Sequence, residues 1–422
     1  MKRNLFSEIN SLYASSKESP NVMHFIMKMQ DTIDGKVLRH AVDTTMERYP
    51  YFAVKLTKMD DRYVFESNEQ PVAVVNTEKD IELNSKESNF HMLAFSWQND
   101  IIIVNICHAL TDGTGAYELI RTFLYYYCSE FYDVKLNRDG IRLNGDFIPP
   151  QEWDDPTENL PEQPSGGGGE IQPSISPEHE MGEEGDDAKT VFGISIDESE
   201  FMRFSSANDG SPGTITALFL SRAIADVHPD KKNPIRISMC VNQRKALNAP
   251  LAHQSLVGGA WLEYKDKMRT WPVDKQATCF RGMVFAQTRD ESVLSTQASI
   301  TSFTKKLLAL KTDEERFEAA KNNSHSLKAV LSATVSYVGK ANFGEAEKYI
   351  KEFHLWAHPL NESILLEISA VNRKVTIEFI QNFSNPVYFD AFLKELTNSG
   401  ISFEHKYTEK LVIPNVKLPW SV

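Results

Sequence analysis

The feature that most limits what this chain can fold into is the apolar run Ile101-Ile-Ile-Val-Asn-Ile-Cys107. Its length and its β-branched side chains predict a strand buried on both faces. From Ala116 the period changes. Ala116, Leu119, Ile120, Phe123, Leu124 and Tyr127 recur three or four apart, which predicts an amphipathic helix. The segment between them, His108-Ala-Leu-Thr-Asp112-Gly113-Thr-Gly115, therefore places a histidine at the end of a core strand and an aspartate at or near the start of a helix.

Strand and helix patterns mix along the rest of the chain. Val22–Met29 reads as a strand, and Leu38, Ala41, Val42, Thr45, Met46 and Tyr49 form one helix face that Pro50 ends. Tyr51–Leu56 and Tyr63–Glu66 flank Asp60-Asp61 as a hairpin, and Phe90–Trp97 precedes the opening strand. Later, Val191–Ile196 reads as a strand, Thr214–Val227 as a deeply packed helix, and Ile235, Ile237, Met239 and Val241 alternate as a strand. A polar helical region containing Asp313 follows. Ser332–Val338 is a strand, Ile364–Ala370 and Lys374–Ile380 a hairpin, and Pro386–Leu396 a helix. With 422 residues, the chain is too long for one ordinary core. The expected division is 1–150, a flexible acidic linker at 151–189, and 190–422.

Charge bears on that division. Between Gln151 and Lys189 there are 12 acidic residues and one lysine, so the net charge of −13 sits mostly there and the rest is nearly neutral. No basic stripe favours nucleic acid. The four scattered cysteines (Cys107, Cys128, Cys240, Cys279) fit a reducing compartment. The N-terminus turns polar too early for a signal peptide, and no run approaches the ~20 apolar residues of a membrane span, so a cytoplasmic protein is expected. There is no G-x-S-x-G elbow. Gly166–Gly169 lies in the acidic stretch and not between strand and helix, which argues against a phosphate cradle. His354 and His358 have i, i+4 spacing, but Pro359 follows and no third ligand is evident; no metal is expected. Tyr125, Tyr126 and Tyr127 read as helix packing.

A neutral imidazole at a strand end can take a proton from a hydroxyl, thiol or amine attacking a carbonyl, since its ordinary pKa is about 6.5. Gly113 would let a substrate approach the backbone closely. If Asp112 points into the core, its charge requires a partner from elsewhere. By itself the pattern also fits a core histidine followed by a helix-capping aspartate.

His108 to Gly113 resembles the H-x-x-x-D-G signature of the His-dependent acyltransferase superfamily: chloramphenicol acetyltransferase, plant BAHD acyltransferases, nonribosomal peptide condensation domains and alcohol acetyltransferases. Val241-Asn-Gln-Arg244 and the following Val257-Gly258-Gly259 are similar to its Asp-Gly-Arg-x-Arg-Leu…Phe-Gly-Asn region, and Ser336-Tyr337-Val-Gly339-Lys-Ala-Asn342-Phe343-Gly344 to its Ser-Asn-Leu-Gly segment. The resemblance spans about residues 20 to 400 and is nearest the alcohol acetyltransferase-like branch. It implies an α/β fold of two chloramphenicol-acetyltransferase-like sandwich halves with an active-site channel between them. It implies His108 as general base, Arg244 as ion-pair partner of a structural Asp112, and Ser336, Tyr337 and Asn342 as substrate-binding, with Ser336 a candidate for the oxyanion. The implied reaction moves an acyl group, acetyl among the candidates, from acyl-CoA to a small alcohol or amine, with no permanently bound cofactor, in a monomer or weak dimer. The alternatives are a noncatalytic member that binds a thioester carrier or protein, and a stand-alone condensation enzyme fed by an acyl carrier protein. Cys107, where condensation domains carry a first histidine, argues against peptide-bond formation.

Overall fold

The computed structural model describes residues 2–4, 6–59, 62–158, 160, 171–181 and 189–420. In chain order the elements are β1 (Lys2–Asn4), α1 (Ile9–Ala14), β2 (Val22–Met29), α2 (Gly35–Arg48), β3 (Val54–Met59), β4 (Arg62–Ser67), β5 (Val74–Asn76), β6 (Leu93–Gln98), β7 (Ile101–Cys107) and α3 (Gly113–Phe131). There follow α4 (Pro177–Met181), β8 (Thr190–Asp197), α5 (Glu198–Ala207), α6 (Pro212–Val227), β9 (Ile235–Asn242), β10 (Val257–Tyr264), α7 (Val273–Gln287), α8 (Asp290–Leu308) and α9 (Asp313–Lys328). The last are β11 (Ala333–Lys340), β12 (Ile350–Trp356), β13 (Ile364–Val371), β14 (Lys374–Gln381), α10 (Val387–Asn398) and β15 (Phe403–Lys410).

The apolar run is β7, the middle strand of a five-stranded sheet ordered β12-β2-β7-β6-β5. Ile102, Val104 and Ile106 are fully buried; Asn105, on the other face, is also buried and meets His24 Nδ1 at 2.6 Å. That contact pairs the one polar side chain in the run. The second sheet has seven strands, β10-β9-β11-β13-β14-β8-β15, and the expected hairpin β13–β14 pairs in register from Ile364↔Gln381 to Val371↔Lys374. Alternation splits its two faces. Ile237, Val335, Ile364, Leu366, Ile368, Ile377 and Phe379 pack with α6 and α10 in one core, while Ser238, Thr334, Ser336, Glu367 and Glu378 lie on the face turned toward the first sheet.

The sequence patterns do not foretell β12. It leaves the later half of the chain to pair antiparallel with β2, Phe353 opposite Met27 and Leu355 opposite Phe25, and so extends the first sheet. His354, read from its spacing to His358 as a possible helix position, is thus on a strand. Its Nδ1 lies 2.7 Å from Glu378 Oε1 of β14, whose other oxygen accepts from the Tyr407 hydroxyl of β15. This polar contact ties the sheets together. Burial alone would lower the His354 pKa, but Glu352 and Glu378 raise it to about 9. A raised folded-state value stabilises the fold fully below the ordinary 6.5 and ceases to do so as pH rises through 9. His354→Gln should therefore cost about 3 kcal/mol at pH 6 and close to nothing at pH 10, read from denaturant midpoints. An equal cost at both pH values would show that His354 acts by packing alone.

Of the stretch 151–189, residues 159, 161–170 and 182–188 lie outside the described residues, and with them Gly166–Gly169; the Asp60-Asp61 turn does too. The described parts of that stretch are built into the fold. Glu152 is buried, bonded to both Arg48 terminal nitrogens (2.9 and 2.7 Å) and to the Tyr51 hydroxyl. Ile175 enters the second core. The acidic average over 39 residues hid these two anchors, one a neutralised carboxylate and one an apolar side chain. Among the described residues no helix is long and apolar enough to cross a membrane.

Candidate functional site

The strand β7 ends in a tight turn. The His108 amide donates to the Asn21 carbonyl at 2.9 Å, so pairing with the chain entering β2 runs one residue past Cys107, and the Leu110 amide returns to the Cys107 carbonyl at 2.8 Å. Asp112 then caps α3, accepting from the Gly115 amide at 3.1 Å. Gly115 is required by space: a Cβ there would collide with the Thr111 hydroxyl and the His253 carbonyl. Gly113 sits against Val338 of β11, which brings the helix start onto the second sheet.

Asp112 is fully buried and its charge is completely answered. Arg244 Nη2 and Nη1 donate to Oδ1 and Oδ2, each at 2.8 Å, and the Leu256 amide donates to Oδ2 at 3.0 Å. With the Gly115 amide, each carboxylate oxygen has two donors. Arg244 spends further protons on the Ala252 and Gln254 carbonyls at 2.7 and 2.8 Å. Such bidentate, hydrogen-bonded pairing is what makes a buried ion pair tolerable. It leaves Asp112 no free lone pair for proton transfer. One carboxylate both caps the helix and pairs with Arg244, joining the start of α3 to the turn after β9.

His108 is not bonded to Asp112, which reaches it through charge alone. Burial lowers its pKa below 6.5, and the ring bonds to the residue's own carbonyl. The imidazole opens onto a cavity of about 280 Å³. Asn10 and Ser11 of α1, Asn323 and Ser324 of α9, and Asn361 supply amides and hydroxyls; Phe303, Leu327 and Leu360 supply apolar wall. None of the lining residues carries a formal charge. An uncharged wall keeps the histidine neutral and basic near pH 7.

Ser336 lies on the inner, part-exposed face of β11, beside Glu367 of β13. Tyr337 points to the opposite face and packs in the second core, as alternation requires. Asn342 is an exposed turn residue in the left-handed region, φ 48°. The structure thus gathers Asp112, Gly113 and Arg244 around the turn that carries His108; of the predicted site residues only His108 lines the cavity, and Ser336, Tyr337 and Asn342 lie outside its wall. Sequence reasoning missed the wall itself. Isolated asparagines and serines on α1, α9 and the 360–361 loop have no periodicity that marks them. Among the described residues, no three His, Cys, Asp or Glu side chains gather as metal ligands.

No family model and no curated protein matches this sequence. Solved structures do. A TRI101 structure from F. sporotrichioides, complexed with coenzyme A and T-2, is similar at TM-score 0.62 and 9% identity over 96% of this chain and 99% of its own. The TRI3 trichothecene 15-O-acetyltransferase from Fusarium sporotrichioides is similar at 0.59 and 10% over 93% of each. An epimerization domain of tyrocidine synthetase B is similar at 0.58 and 10% over 90% and 91%. The chain has the α/β fold that these acetyltransferase and peptide synthetase structures share.

Proposed function

We propose that this chain, built on that fold, is an acyltransferase that moves an acyl group from a coenzyme A thioester to an alcohol or amine acceptor, between halves 1–150 and 190–422. The observation that carries the reading is His108: its pKa lowered by burial, its ring open to an uncharged cavity, on a turn fixed by a saturated ion pair. The imidazole takes the acceptor's proton as the acceptor attacks the thioester carbonyl carbon. The C–S bond then breaks, and the departing thiolate receives that proton from the imidazolium. No covalent enzyme intermediate is needed. Two structures of the same fold, one an O-acetyltransferase and one complexed with coenzyme A, support the donor class.

Thiol release from acetyl-CoA and longer acyl-CoAs, with a mixed alcohol and amine panel, tests the reading. The expected result is acceptor-dependent release matched mole for mole by ester or amide. Tight acyl-CoA binding without release anywhere on the panel would overturn it in favour of a noncatalytic binder.

A further inference from the structure

The inner face of the seven-stranded sheet is unusually polar for a covered surface. Ser238 and Cys240 on β9 and Thr334 and Ser336 on β11 all keep partial exposure, although both strands are interior to the sheet. Solvent therefore reaches this face between the two halves. Glu367 stands in the middle of it, on the central strand β13 and opposite Ser336 in register. It is 8% exposed, and its Oε2 is buried with no hydrogen-bond partner. The Tyr117 hydroxyl from α3, also buried and without a partner, lies within electrostatic reach of it.

What surrounds Glu367 is of the wrong sign to hold a carboxylate. The groups acting on it are the Ser336 hydroxyl and two further acids, Glu362 and Glu378. Glu378 is already engaged by His354 and Tyr407. Glu362 is engaged by the Thr334 hydroxyl and the main chain at Leu360 and Asn361. Burial lifts the Glu367 carboxyl to about 7. A buried carboxyl near such acids stays protonated, or becomes ionised when a cation arrives. Glu367 Oε2, with the Ser336 hydroxyl beside it in register and the Tyr117 hydroxyl within electrostatic reach, offers acceptors to the N–H donors of a primary ammonium.

We propose that Glu367 is the counter-charge of a subsite for a ligand carrying a primary ammonium, and that the acceptor is an alcohol bearing that ammonium elsewhere in its chain. Calling the ligand the acceptor rests on the acyl-transfer reading; the subsite does not. An ammonium is not nucleophilic, so the hydroxyl is the group left to His108.

Calorimetric binding of 6-amino-1-hexanol and 1,6-hexanediol at pH 8 tests the subsite without turnover. The wild-type protein should prefer the amino alcohol at least tenfold. Glu367→Gln should erase that preference, lowering affinity for the amino alcohol far more than for the diol. Equal affinities in the wild type, or a preference that survives in the variant, would overturn the proposal. If the Gln protein does not fold, Tyr117→Phe should weaken the amino alcohol alone by several-fold, and an equal loss for both ligands would overturn it. Thiol release with acetyl-CoA separates the two readings. Turnover without amine preference sinks the subsite, and Glu367-dependent preference without turnover sinks the transferase.

Discussion

His108→Ala should lower acceptor-dependent thiol release by about a hundredfold to ten-thousandfold, the usual worth of a positioned general base. The loss should fall on kcat, because the imidazole meets the acceptor proton only as the bond forms. Stability should change little, since the ring lines a cavity. The wild-type profile adds a signed check. Burial depresses the imidazole pKa, so the acid limb of the rate should lie below 6.5. A variant that folds with full activity, or an acid limb well above 6.5, would remove His108 from the chemistry.

Arg244→Met carries the second large effect, and that effect is on the fold. It strips two donors from Asp112 and leaves a carboxylate buried with only the Gly115 and Leu256 amides. Breaking a buried pair from one side costs about 3–5 kcal/mol. Removing the charge as well, in Asp112→Asn with Arg244→Met, should recover part of that loss, because no unpaired ion is then buried. Denaturant midpoints of the two single variants and the double variant measure the coupling. Activity should fall in every variant, as the turn that aims His108 is loosened. Additive losses would mean the two side chains act independently, against the bidentate geometry.

Much of this was legible locally. The apolar period of Ile101–Cys107 dictated a strand covered on both sides, and the 3.6 period after it dictated a helix, so the His108 turn between them had to exist. The residues of the second core alternate or repeat in ways that one element's geometry explains. Other parts have no local signal. The strand Ile350–Trp356 is read as a strand only because β2 offers an edge to pair with. Glu152 is anchored only because Arg48 and Tyr51 meet it across the chain.

Sequence by itself determined the strand, turn and helix around Ile101–Tyr127 and the most strongly patterned elements elsewhere, and marked His108, Asp112 and, by resemblance, Arg244, because periodicity and motif spacing are properties of neighbouring residues. Tertiary structure decided the rest. It saturated Asp112 with four donors, opened His108 to an uncharged wall drawn from α1, α8, α9 and the 360–361 loop, and turned Tyr337 away from Ser336. It also set Glu367 beside Ser336 and within the field of two further acids, Glu362 and Glu378. Pairings between residues 31 to 144 positions apart carry no periodic trace; they arise only when distant segments pack side by side in the fold.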